Sequence, residues 1–170
     1  MKKKLVIVNG AMGVGKTTTC KELNKNLQNS VWLDGDWCWM INPFVVNEEN
    51  KKMVIDNITH LLRGFLTNST IEYVIFTWVI HKEEIYNDIL EPLKDLDFES
   101  IKITLTCSEE KLRSRILSDV QINLRDEESI NRSIEYLSLC KDMKTKEIDT
   151  TNLSILEVVE IMINNINFSN

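Results

Sequence analysis

Along this chain, short runs of consecutive apolar residues alternate with longer stretches in which apolar residues recur at helical spacing. Leu5-Val6-Ile7-Val8 and Tyr73-Val74-Ile75-Phe76 are unbroken apolar runs, the pattern of strands buried on both faces of a parallel sheet. Val31-Trp32-Leu33, residues 101–106 and the surroundings of Ile148 supply three further strands. Between them the first helix carries Cys20, Leu23 and Leu27 on one side. A long helix over about 48–66 gathers Val54, Ile58, Leu61, Leu62 and Phe65 into one stripe. Further helices are expected over about 83–90, ended by the pre-proline residue Glu91, and over 108–117 and 127–141. The last helix opens with the capping box Ser154-x-x-Glu157 and should bury Ile155, Val158, Val159 and Met162. A polar, irregular stretch occupies about 118–126. This βαβα alternation predicts an α/β fold, a parallel sheet covered by helices on both faces, with residues 1–170 as one domain. In such sheets ligands bind beyond the carboxyl ends of the strands. The segments 10–17, 34–37, 77–82, 107–109 and 149–152 therefore carry the candidate chemistry.

The first of these segments changes the picture most. Among 170 residues there are 5 glycines, and Gly10, Gly13 and Gly15 fall within six consecutive positions. The stretch Gly10-Ala11-Met12-Gly13-Val14-Gly15-Lys16-Thr17 satisfies G-x-x-x-x-G-K-[ST] at every required position, and it follows a buried strand and opens a helix. Glycines let consecutive backbone N–H groups turn inward toward phosphate oxygens, and the helix N-terminus adds its positive end. Lys16 is placed to reach the β- and γ-phosphates of a nucleotide, Thr17 to ligate Mg²⁺, and Thr18 to complete the loop's contacts.

With that motif in place, the chain resembles the phosphate-loop kinases of small molecules, the nucleoside-monophosphate, shikimate and gluconate kinase group. The resemblance covers nearly the whole chain in element order. It implies a three-layer αβα P-loop NTPase fold with a five-stranded parallel sheet in order 2-3-1-4-5 and a short lid over about 118–126. It also implies ATP and Mg²⁺ as cofactors. No N-K-x-D follows a strand, and the third strand ends Phe76-Thr77 without the usual metal-holding aspartate. Leu33-Asp34-Gly35-Asp36 looks like the D-x-D after strand two in shikimate and gluconate kinases. By that resemblance Asp34 holds the metal and Asp36 orients the acceptor hydroxyl and takes its proton. An ordinary Asp-Gly turn with two solvated carboxylates is the plain alternative. Glu110-Lys-Leu-Arg-Ser-Arg115 is similar to the adenylate-kinase segment that sets an arginine over the base, which gives Arg115 that role. Four positions on, where adenylate kinases carry a second arginine, stands Asp119. Residues 125–136 resemble the segment closing the lid, in which Arg125 acts on the transferring phosphate and Arg132 faces the substrate. Arg132 and Tyr136, four apart, equally fit a solvated helix face.

The four tryptophans all lie near the proposed acceptor side, Trp32, Trp37 and Trp39 around the second strand's end and Trp78 after the third strand. Trp37, Trp39 and Trp78 read as aromatic walls for a substrate, and core packing is the competing account. Arg63 is the arginine nearest that end in the chain, and it lies opposite its helix's apolar stripe. The scarcity of acceptor-side arginines points away from a nucleoside monophosphate and toward a neutral or weakly polar hydroxylated metabolite or antibiotic-like alcohol.

Charge and cysteine usage narrow the rest. The net charge is −6, from 26 acidic and 20 basic side chains, with no basic stripe beyond Lys2-Lys3-Lys4, so long nucleic acid is not an expected partner. The lysines precede only four apolar residues, short of the about 7–15 of a signal-peptide core, and no run approaches the roughly 18 of a membrane span. Cys20, Cys38, Cys107 and Cys140 show no C-x-x-C spacing. They read as free thiols of a cytoplasmic protein. The expected activity is ATP- and Mg²⁺-dependent phosphoryl transfer to a small-molecule hydroxyl. Two alternatives stay open: a nucleotide or nucleoside kinase, and an ATP-binding regulator that hydrolyses slowly and transfers to nothing.

Overall fold

The computed structural model of the chain describes residues 2–122, 126, 128–141 and 143–168. Its elements follow the order β1 (Lys3–Asn9), α1 (Lys16–Asn26), β2 (Ser30–Asp34), α2 (Glu48–Thr67), β3 (Tyr73–Thr77) and α3 (Glu83–Leu90). They continue with β4 (Phe98–Thr106), α4 (Glu109–Gln121), α5 (Glu128–Lys141), β5 (Lys146–Asp149) and α6 (Ile155–Asn167). The five strands form one sheet in the order β2-β3-β1-β4-β5, and every neighbouring pair is parallel. The expected fold class and strand order are therefore observed.

The central strand explains the layering. On β1, Val6 and Val8 face one hydrophobic cluster and Leu5 and Ile7 the other, all four fully buried. A strand apolar on both pleats must be covered on both sides. The first cluster takes in Cys20 and Leu23 of α1, Leu112 and Ile116 of α4, and Val158, Val159, Met162 and Ile166 of α6. The second takes in Val54, Ile58 and Leu62 of α2 and Tyr86 and Ile89 of α3. Sequence-local chemistry fixes where the helices begin. Asn47 and Ser108 accept backbone N–H groups at the starts of α2 and α4. Ser154 and Glu157 close the reciprocal capping box anticipated for α6.

Several expected details are corrected. Leu61 is 38% exposed, and the buried stripe of α2 runs instead through Thr59 and Leu66, because the helical period carries the seam past Leu61. Ile155 at the start of α6 is exposed rather than buried. The end of α3 is as expected, at Leu90 with Glu91 as its C-cap, and a 3₁₀ turn, Glu91–Leu93, follows with Pro92 accommodated in its first positions. Strand β4 starts three residues earlier than expected, at Phe98. Helix α4 runs on to Gln121, so the front of the stretch expected as an irregular lid is helical. Residues 123–125 of that stretch lie outside the described residues. Among the described residues, no helix is long and apolar enough to cross a membrane.

Two glycines test this packing from opposite directions. A Cβ on Gly10, whose φ is +145°, would stand 2.5 Å from the Leu105 carbonyl oxygen. Gly64 lies inside α2 with nothing within 4 Å of its would-be Cβ. Gly10→Ala should lose about 2–3 kcal/mol of unfolding free energy in urea titrations. Gly64→Ala should gain about 0.5–1 kcal/mol, raising the melting temperature by about 1–4 °C.

Candidate phosphate-binding and transfer site

The loop between β1 and α1 is a set of backbone turns that side chains would obstruct. Gly10, Gly13 and Gly15 have φ of +145°, +83° and +103°. A Cβ on Gly13 would come within 2.8 Å of Ile116, so α4 presses on the loop from outside. Gly15 is the left-handed residue immediately before Lys16, where α1 starts. Lys16 folds back so that its Nζ donates to the carbonyls of Gly10 at 2.9 Å and Ala11 at 3.0 Å. Desolvation pulls its pKa below the usual lysine value, opposed by the negative charges of Asp36 and Asp34 among others.

From Thr17 a chain of contacts leads across the strand ends. Thr17 Oγ1 donates to Asp34 Oδ2 at 3.3 Å, and Asp34 Oδ1 accepts the backbone N–H of Asp36 at 3.1 Å. Asp34 ends β2 and is buried, at 7% exposure, and that burial raises its pKa above the usual carboxylate value. Asp36 sits in the 3₁₀ turn Gly35–Trp39, exposed, and its Oδ1 accepts the indole N–H of Trp78 at 3.1 Å. The pair is thus more than a solvated Asp-Gly turn: the two carboxylates are held at different depths by different donors.

These groups border a cavity of about 420 Å³. Met12, Gly13, Val14, Gly15, Lys16, Thr17 and Thr18 form its floor, and Asp34, Asp36, Trp78 and Val79 one wall. Arg115 and Asp119 of α4, with Thr150, Leu153, Ile155 and Val158 around the start of α6, form the other. The volume is within the range of small-molecule sites, about 300–1,000 Å³. Exposure of Ile155 is explained by its place on this wall. Arg115 donates to Val14 O at 3.0 Å, Thr150 O at 3.1 Å and Thr150 Oγ1 at 3.2 Å, and so ties the glycine loop to the β5–α6 connection.

The chain from residue 6 to residue 137 matches the family model described as AAA domain. The chain belongs to that family. No curated protein matches it significantly in sequence. In three dimensions this AAA domain is similar to a gluconokinase from Sinorhizobium meliloti 1021, with a TM-score of 0.70 and 14% identity over 96% of this chain and 91% of that one. It is also similar to the tunicamycin resistance protein of Deinococcus radiodurans, with a TM-score of 0.69 and 17% identity over 99% and 98% of the two chains. A shikimate kinase from Acinetobacter baumannii, solved with shikimate, superposes with a TM-score of 0.62 and 19% identity over 98% and 94%. At these identities the likeness is one of fold, and it is to the group of small-molecule kinases that the sequence resembles.

The other anticipated site residues of the AAA domain are placed less centrally. Gly10 and Ala11 shape the loop from behind and offer their carbonyls to Lys16. Trp37 does not line the cavity; it is 52% exposed, its ring 5.0 Å from that of Trp32. Arg132, exposed on α5, stands 3.9 Å from Asp126 and is also outside the cavity wall. Tyr136 turns toward His81, with ring centroids 5.0 Å apart. Arg125 lies outside the described residues. Arg63 is held by Asp95 through two bonds of 2.8 and 2.6 Å on the protein surface. Sequence reasoning missed Thr150 as the anchor of Arg115, although its segment was marked as a strand end. It also missed Asn9, whose fully buried side chain accepts Ile80 N–H at 2.7 Å and approaches Thr104 at 3.4 Å. A polar residue closing an otherwise apolar strand was the available signal.

The raised pKa of Asp34 has a consequence for stability. A carboxyl that binds its proton more tightly when folded costs stability as pH rises from its unfolded value through its folded value, and the cost persists at neutral pH. Asp34→Asn should therefore melt at higher temperature than the parent at pH 7.5. The gap should shrink as the pH is lowered into the range where Asp34 is protonated, as read by differential scanning calorimetry without nucleotide.

Proposed function

We propose that this protein transfers the γ-phosphoryl group of ATP to the hydroxyl of a small molecule. The observation that carries the reading is the linked series Lys16, Thr17, Asp34 and Asp36 along one cavity, with donors for phosphate at one end and an exposed carboxylate at the other. Its likeness in fold to a gluconokinase and a shikimate kinase supports the same class.

The Thr17 hydroxyl and Asp34 carboxylate are two adjacent oxygen donors, the type Mg²⁺ takes. Among the described residues no cluster of three His, Cys, Asp or Glu is placed to hold a metal alone. That fits an ion carried in with nucleotide phosphates and held by one or two protein oxygens. When bound, the ion would neutralise phosphate charge. The remaining chemistry is assigned to the chain. The loop's backbone N–H groups and the N-terminus of α1 bind the phosphates, and Lys16, released from the Gly10 and Ala11 carbonyls, follows the transferring group. Asp36 accepts the proton of the acceptor hydroxyl as its oxygen bonds to phosphorus and the bond to the leaving ADP breaks. Arg115 borders the nucleotide's base end. Arg125 is proposed, from the motif alone, to add charge over the transferring phosphoryl group.

The acceptor is proposed to be neutral or weakly polar, since Arg63 is committed to Asp95 and leaves no arginine free on that side among the described residues. The four cysteines are free and suit a reducing, cytoplasmic setting. A second reading, slow hydrolysis by a regulatory protein, draws on Thr77. It closes β3 where a metal-holding aspartate often stands, and its hydroxyl is bonded to Val8 O at 3.1 Å.

A thermal-shift screen of hydroxylated metabolites with a non-hydrolysable ATP analogue, followed by phosphoryl transfer to each hit, separates these readings. Lys16→Ala should abolish the ATP-induced rise in melting temperature. Asp36→Asn should keep that rise and lose about 10²–10⁴-fold in transfer rate. Unchanged turnover in Asp36→Asn with every acceptor would favour the regulator. Competitive protection by a nucleoside monophosphate at micromolar concentration would overturn the neutral acceptor.

A further inference from the structure

We infer that Trp78, besides lining the cavity, is a positioning residue for Asp36, fixing which carboxylate oxygen is presented to the acceptor. The inference rests on the proposed role of Asp36 as the base.

Two independent observations place the indole. Its Nε1–H donates to Asp36 Oδ1 at 3.1 Å. Its ring also lies directly on Gly35: a Cβ there would stand 2.6 Å from Cγ and 2.8 Å from Cδ1 of Trp78. The φ of Gly35 is not positive, so glycine is needed at this position for the ring's approach and not for a backbone turn. The ring is held from behind as well. The Trp78 backbone N–H donates to Val8 O at 3.2 Å, registering it against β1, and Phe76 packs at 6.4 Å between centroids. The donor is therefore supplied by a rigid group fixed to the central strands.

The carboxylate it meets has freedom to lose. Asp36 is exposed and sits on a short turn. Asp34, two residues earlier, has both oxygens engaged, one by Thr17 and one by the Asp36 backbone. An exposed aspartate would otherwise sample several rotamers, and phosphoryl transfer depends on a near-attack alignment of donor and acceptor. With Oδ1 held by the indole, Oδ2 is the oxygen offered to a hydroxyl proton. Glycine, tryptophan and aspartate thus act as one unit, Gly35 making room for the ring that orients its own neighbour.

The test uses the full chain with ATP, Mg²⁺ and water as acceptor, so that no substrate need be known. Single-turnover phosphate release is measured for the parent, Asp36→Asn, Trp78→Phe, Gly35→Ala and the double variant Trp78→Phe/Asp36→Asn, with ATP affinity determined separately for each. Trp78→Phe keeps an aromatic ring and removes the N–H, and Gly35→Ala displaces the ring while leaving the N–H intact. Each should slow release by about tenfold, the scale of one hydrogen bond to a charged group, without weakening ATP binding. In the Asp36→Asn background Trp78→Phe should add no further loss. The indole N–H resonance of Trp78 should exchange with solvent faster in Asp36→Ala than in the parent, and this reading holds even if one variant folds poorly. A full tenfold loss on top of Asp36→Asn, or an unchanged rate in Trp78→Phe with a slowed Asp36→Asn, overturns the positioning role alone. An unchanged rate in Asp36→Asn removes the base itself, and the positioning role with it.

Discussion

The site depends on how closely a bare backbone lies against the sheet and a helix. Gly10 sits where any side chain would strike the Leu105 carbonyl, and Gly13 where it would strike Ile116 of α4. Because these positions lack side chains, the loop can drop between β1 and β4 and then climb into α1 at Gly15. That path sets the direction of the first turn of α1, and with it the placement of Lys16 and Thr17. Thr17 meets Asp34 only because β2 ends level with that turn, two strands away in the order β2-β3-β1. A shift in the register of β3 against either neighbour would separate the hydroxyl from the carboxylate.

The same geometry concentrates charge where water is scarce. Asp34 is buried at the end of its strand and binds its proton more readily than a free aspartate, while the Lys16 ammonium is desolvated and gives up its proton more easily. Each is kept tolerable by local donors and acceptors: Thr17 and the Asp36 backbone for the carboxylate, the Gly10 and Ala11 carbonyls for the ammonium. A polar site under such constraint is costly to maintain without a ligand and responsive when one arrives. The buried thiols contribute no chemistry of that kind. Cys20, in the wall of the core behind the loop, has its pKa pushed up to about 12 by burial.

Much of this was legible in the chain. The strand-helix alternation and the doubly apolar β1 implied the parallel sheet. The spacing of Gly10, Gly13, Gly15, Lys16 and Thr17 implied the loop, because the motif is a local statement about backbone and each residue's job is set within eight positions. Asp34 and Asp36 were legible by analogy, but their division of labour was not. It depends on Trp78, 42 residues later, and a hydrogen bond across two strands leaves no trace in local spacing. Gly35 was visible only as half of a turn pair, whereas its reason for being glycine is the ring above it. Arg115 was found from a segment pattern, and its partner Thr150 was not, since β5 is brought beside β4 only by the fold. Periodicity also misjudged Leu61 and Ile155, where a helix face borders solvent or a cavity instead of the core.

Arg115 carries one further meaning. Its guanidinium joins Val14 in the phosphate loop to Thr150 in the β5–α6 connection, two places that also touch directly, the Thr150 hydroxyl donating to Val14 O at 3.4 Å. Floor and wall of the cavity are therefore seamed together at that corner. A displacement of the glycine loop would be felt at the start of α6, so the wall beside Arg115 travels with the loop it borders.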